Sequence, residues 1–190
     1  MSATPGAGAV RRYHPALVVL HWLVAALVLL GLAMGTFKLS ALPNTAPDKI
    51  GALRGHMIAG GLILLLMLAR LVVRRVTAHP PPATTGFVMA DRLAPLAHGL
   101  LYAAVLAMAG SGIAMSVGAD LPAVVFMGQG SLPADFAHLP ARAVHGLVAK
   151  LLMVLIALHV AAVACHQWVR RDGLLSRMGF GSSRQMSAGP

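Results

Sequence analysis

Four long apolar runs separated by short polar links constrain this chain more than any other feature. They lie at about 16–37, 54–76, 93–117 and 143–169, and each holds 22 to 27 residues. At a helical rise of about 1.5 Å per residue, such a run crosses a hydrocarbon core about 30 Å thick. A backbone in lipid must satisfy its own N–H and C=O groups, which leaves helices or a closed barrel. No run alternates apolar with polar residues, and a barrel needs many short strands that do. The sequence therefore predicts an all-α integral membrane four-helix bundle, with residues 1–190 forming a single membrane domain.

The charges fit that frame. Only 11% of residues are charged, against about 25% in a soluble domain. Five acidic residues, all Asp, face fifteen Lys plus Arg, for a net charge of +10. Such a charge raises the question of nucleic acid, but the basic residues sit at the ends of apolar runs, as in Arg11-Arg12, Arg74-Arg75 and Arg170-Arg171. No basic face interleaved with aromatic residues appears, so no nucleic-acid partner is expected; these arginines are topology signals and lipid anchors. One side of the bundle collects Arg11, Arg12, Arg74, Arg75, Arg92, Arg170, Arg171, Arg177 and Arg184, and the other Lys38, Lys49, Arg54 and Arg142. That asymmetry predicts both termini in the cytoplasm of a cell whose membrane the chain spans several times.

The links differ in character. Residues 39–53 are polar and hold Pro43 and Pro47, and residues 77–90 hold Pro80, Pro81 and Pro82 and read as an irregular loop. The link 118–140 contains Asp120 and Asp135, and its Val124, Val125, Phe126 and Met127 suit a membrane surface. Pro15 opens the first run well, because the N–H it lacks has no helical partner there anyway. Residues 1–10 lack the basic-then-apolar order of a secretory signal, so the first run is expected to remain as a helix. The tail at about 181–190 is polar and Ser/Gly-rich and is expected to be disordered. Cys165, the single cysteine, excludes an intrachain disulfide and a Cys-ligated cluster, and it reads as a small packed hydrophobe.

Histidines carry the chemistry. His21, His56, His98, His145 and His159 lie within or at the mouths of the apolar runs, with His166 near the end of the last. His145, His159 and His166 are 14 and 7 residues apart, which at about 100° per residue returns all three to within about 40° of one helix face. The first two are then about 21 Å apart along the axis. The second and fourth runs enter from the same side, so His56 shares the depth of His145. The first run enters from the other, so His21 shares the depth of His159. Two neutral imidazoles from different helices at one depth make an axial pair for a haem iron, and two such pairs stack two b haems across the bilayer. Zinc wants a third or fourth ligand at each level, and no carboxylate or thiolate is available there. Gly60, Gly61 and Gly146 near the ligands suit a bulky macrocycle or ordinary small-residue helix packing.

The residues that carry these signals also carry a resemblance. His21-Trp22 in LVVLHWLVAALVLL, His56 and Arg70 in GHMIAGGLILLLMLARLVVRR, His98 in LAPLAHGLLYAAVLAMAGSGIAMS, and His145, His159 and His166 in VHGLVAKLLMVLIALHVAAVACHQW resemble the bacterial cytochrome b561 family. The similarity covers nearly the whole chain from Tyr13 to Met178 and is greatest to the short four-helix members, which include superoxide:ubiquinone oxidoreductases. It implies two b haems held by His21 with His159 and by His56 with His145. It also implies electron transfer from a periplasmic donor, superoxide, to ubiquinone at the cytoplasmic side, with His166 at the quinone position. The family includes electron carriers too, so an electron-transfer subunit serving a periplasmic dehydrogenase is the second expectation. The outer loops depart from the pattern in being poor in basic residues.

The remaining candidates follow from position. Arg54 and Arg142 flank His56 and His145 at the outer mouth, where they can draw in an anion or pair with haem propionates or lipid phosphate. His166 lies seven residues, about 10.5 Å, beyond His159, where a quinone headgroup can enter from lipid. Gln167, Arg70 and His98 come from runs that end on that side and are candidate second partners of the inner haem or the quinone.

Overall fold

The computed structural model describes residues 12–81, 88–171 and 173–179. The segment 1–10, Arg11, Pro82, Arg184 and the expected disordered tail at 181–190 lie outside the described residues. Helix α1 spans Pro15–Ala33 and runs on through a π-helical turn, Met34–Leu39. Helix α2 spans Lys49–Val76, α3 Val88–Gly118, and α4, seven residues long, Leu121–Met127. Helix α5 spans Pro140–Ala164 and continues as a second π-helical turn, Cys165–Arg170, followed by a 3-10 turn at Leu174–Met178. Four spans, Pro15–Leu39, Lys49–Val76, Asp91–Gly118 and Pro140–Arg170, are long and apolar enough to cross a membrane. The chain is a multi-pass membrane protein of all-α class.

Pro15 occupies the first turn of α1 as its sequence predicts, and the His14 ring caps that turn by accepting from the Ala16 N–H at 3.2 Å. Both α2 and α3 begin five residues before their apolar runs (54 − 49 and 93 − 88). Hydropathy marks only what lipid touches, whereas the hydrogen-bond ladder continues outside it. At α2 a specific contact holds the extra turn. The Lys49 side chain is buried, and its ammonium donates to the Leu39 and Leu42 carbonyls at 2.7 and 2.6 Å. One cation thus ties the end of α1 to the start of α2, where C-terminal carbonyls lack helical donors.

Two clusters hold the bundle. Val24 and Val28 of α1, Met67 of α2, Val105 of α3 and Leu152 of α5 form one buried cluster, to which all four spans contribute. Leu152 lies midway between His145 and His159, seven residues from each (152 − 145 and 159 − 152). The second cluster joins Leu53 of α2 to Leu121 and Val125 of α4. The expected surface segment is therefore divided: Val124 and Val125 are buried, while Phe126 and Met127 face outward. Cys165 corrects its sequence reading, for it is exposed rather than packed. Outward-facing Leu65, Val72 and Leu158 need no aqueous cover when their neighbour is lipid.

Lateral packing is uneven. Helix α1 lies along α2 and α3 along α5, with α2 and α3 joining the two pairs, while α5 makes hardly any close backbone approach to α1 or α2. A seam therefore runs between α5 and the α1–α2 pair. At the end where the described termini lie, the terminal end, the chain closes on itself. The Trp22 indole N–H donates to the Met178 carbonyl at 3.0 Å, and Arg177 reaches the Pro81 carbonyl at 2.9 Å.

Candidate functional site

Histidine rings line the seam at two levels. At the far level, away from the termini, His56 of α2 faces His145 of α5 with ring centroids 6.2 Å apart and planes at 76°. At the terminal level His21 of α1 faces His159 of α5 at 6.5 Å and 67°. These are the two pairs that the depth argument predicts. A metal–imidazole bond is about 2.0 Å and the ring adds about 1.15 Å from nitrogen to centroid, so two imidazoles on one metal have centroids about 6.3 Å apart. Both pairs sit at that span, across helices whose backbones stay apart.

The surroundings fit a planar group. Among the described residues no group of three or more His, Cys, Asp or Glu side chains is placed to hold an ion. A metal at either level would take its other ligands from a macrocycle. Gly35 approaches the His56 ring, where an added Cβ would meet Cε1 at 3.7 Å, and Gly112 approaches His145, where a Cβ would meet Cε1 at 3.4 Å. The glycines singled out in the sequence behave differently: a Cβ at Gly60 or Gly61 would meet nothing within 4 Å, and one at Gly146 would meet Arg142 at 3.2 Å. The Nδ1 atom of His56 is buried without a hydrogen-bond partner among the described residues. Such an atom costs about 1–3 kcal/mol unless a further group engages it.

The terminal level is more crowded. His98 of α3 also faces His159, with centroids 5.5 Å apart. That is about 0.8 Å short of the two-imidazole span derived above. Its Nδ1 lies 2.7 Å from the Ala94 carbonyl, which can only accept, so Nδ1 carries a hydrogen and donates it there. Arg70 of α2 lies nearby with its Nε buried and unpartnered. Its guanidinium donates to the Tyr102 hydroxyl and stacks 4.9 Å over the Tyr102 ring. No carboxylate is among the charged groups that act on Arg70 in the described residues.

The other candidates are dispersed. His166 is half-buried at the start of the π-helical turn, and Gln167 beside it is exposed. The wider turn ends the even 100° spacing by which the sequence places His166 on the face of His159. At the far end Arg54 is held by structure, its Nε and Nη2 donating to the Val125 carbonyl at 3.0 and 2.6 Å. Arg142 is exposed on the first turn of α5. Sequence reasoning did not find Ser111, Gly112, Gly35 or Tyr102. Each acts on a residue of another helix, and no periodicity records such a contact.

A sequence model of the family described as prokaryotic cytochrome b561 matches residues 12–181. A relative named cytochrome b562, from Cereibacter sphaeroides, is 30% identical over 165 residues, covering 85% of this chain and 90% of that protein. With four apolar spans and histidine pairs at metal-bridging distance across an open seam, these matches carry one conclusion: the chain belongs to the prokaryotic cytochrome b561 family of membrane haem-binding electron-transfer proteins.

Proposed function

We propose that the chain is a dihaem oxidoreductase of the bacterial inner membrane that oxidises superoxide on the periplasmic side and reduces ubiquinone on the cytoplasmic side. The observation that carries the reading is the pair of histidine couples at 6.2 and 6.5 Å, one at each level of the same seam. Its orientation, with both termini cytoplasmic, rests on the distribution of Lys and Arg, so the far level is the periplasmic one. Haem iron, when bound, takes up and releases one electron at a time, which suits a radical donor and a two-electron acceptor. The balance is two superoxide to two dioxygen, and one ubiquinone with two electrons and two protons to ubiquinol.

The chain's own residues divide the work. His56 with His145, and His21 with His159, would hold the two haems, each imidazole offering a nitrogen to the iron. Leu152 and its neighbours pack the space between levels and keep water out of the electron path. Arg142, exposed near Lys49, and Arg54, fixed against Val125, place positive charge at the far mouth, where an anionic donor arrives. Arg70 supplies a half-buried positive charge beside the terminal pair, a partner for a haem carboxylate, with His98 next to it. His166 hydrogen-bonds a quinone carbonyl and passes a proton to it, with Gln167 alongside.

The test is pulse radiolysis on the purified, haem-loaded protein. Superoxide should reduce the haems, added ubiquinone should reoxidise them, and His166→Ala should slow only the reoxidation. Haem that stays oxidised under superoxide while accepting electrons from a partner dehydrogenase would turn the assignment to an electron-transfer subunit. Normal reoxidation in His166→Ala would move the quinone site elsewhere.

A further inference from the structure

Ser111 lies on α3, 8% exposed, opposite His145. Its hydroxyl has one proton, and Oγ donates it to the Met108 carbonyl at 3.0 Å. The same oxygen lies 3.0 Å from His145 Nδ1 across the α3–α5 interface. With its proton committed to Met108, Ser111 can only accept there, so the hydrogen is on His145 Nδ1. A neutral imidazole has one N–H, so Nε2 of His145 keeps its lone pair. Gly112, the next residue, lets the α3 backbone come this close, since a Cβ there would press on the ring at 3.4 Å. Among the described residues His56 has no equivalent support, its Nδ1 being buried and unpartnered. The two imidazoles of the far pair are thus unequal.

We propose that Ser111 is a positioning residue for the far haem: it locks His145 in the Nδ1–H tautomer, presents Nε2 to the iron, and tunes the potential of that haem. The inference rests on His145 being a ligand, as proposed above. Accepting the Nδ1 hydrogen makes the imidazole more basic. A more basic ligand favours ferric over ferrous iron, so Ser111 holds the far haem at a lower potential than an unsupported pair would have.

Ser111→Thr and Ser111→Val test this with side chains of nearly equal shape, one with a hydroxyl and one without. A neutral hydrogen bond is worth about 0.5–1.5 kcal/mol, so its loss changes the ferric–ferrous equilibrium by up to about tenfold, or about 59 mV for one electron. Redox titration of the haem-loaded variants should show one haem shifted to higher potential in Ser111→Val, with the other unmoved. Ser111→Thr should titrate like the parent protein. Equal potentials in the two variants, or both haems moving together in Ser111→Val, would overturn the proposal. His145→Ala is carried alongside. If it keeps two haems, the ligand assignment itself is wrong. If it loses one while Thr and Val variants coincide, only the role of Ser111 falls.

Discussion

Replacing His145 with alanine removes one of two imidazoles whose rings stand 6.2 Å apart. The far haem would keep a single protein bond, through His56, and is expected to be lost on purification, halving the b-type absorbance. His56→Ala should lose the same haem, and the double substitution should lose no more than either alone. The surviving haem reports on the distance between levels. His145 and His159 are 14 residues apart on a continuous helix (159 − 145), or about 21 Å. Two unit charges at that distance interact by roughly 332/(20 × 21), about 0.8 kcal/mol, at an effective dielectric constant of about 20. For one electron that is about 35 mV. An oxidised far haem carries one more positive charge than a reduced one and so favours electrons on its neighbour. Its loss should shift the terminal haem's potential by about 35 mV or less. Pyridine haemochrome assay and redox titration measure the two quantities. Two haems retained in the His56→Ala/His145→Ala double variant would refute the pairing, and a shift several times larger would refute the separation of the levels.

Lys49→Met should destabilise the protein by about 2–4 kcal/mol, because two charge-assisted hydrogen bonds to the Leu39 and Leu42 carbonyls are lost and those carbonyls lose their donor. An unchanged thermal unfolding midpoint in detergent would show that the carbonyls find other donors. Arg70→Gln removes a half-buried positive charge at the terminal level, so it should lower the potential of that haem and leave the far one within error. Equal shifts in both haems would place Arg70's effect outside the terminal level.

The number of spans and the pairing of histidines by depth were legible in the sequence for a common reason. Transfer into lipid is a property of each residue taken singly, and helical rise converts spacing into depth without reference to neighbours. Thus the four runs anticipate α1, α2, α3 and α5, and His21 meets His159 as His56 meets His145. The extra turn of α2 was not legible, because Lys49 is stabilised by the Leu39 and Leu42 carbonyls, a contact that no hydropathy window includes.

Which helix lies beside which is settled by summed contacts between faces, and hydropathy is nearly blind to that. Only the tertiary structure sets α3 against α5, and so brings Ser111 and Gly112 to His145 and His98 to His159. The same holds for Arg54, which the sequence offers as a free charge at the mouth and the fold binds to the Val125 carbonyl. The π-helical turn at Cys165–Arg170 likewise alters a spacing that the sequence had measured as uniform. Depth along a membrane helix is a one-body quantity that composition and spacing determine. Azimuth and partner arise from many contacts at once, and they exist only when the four helices have packed.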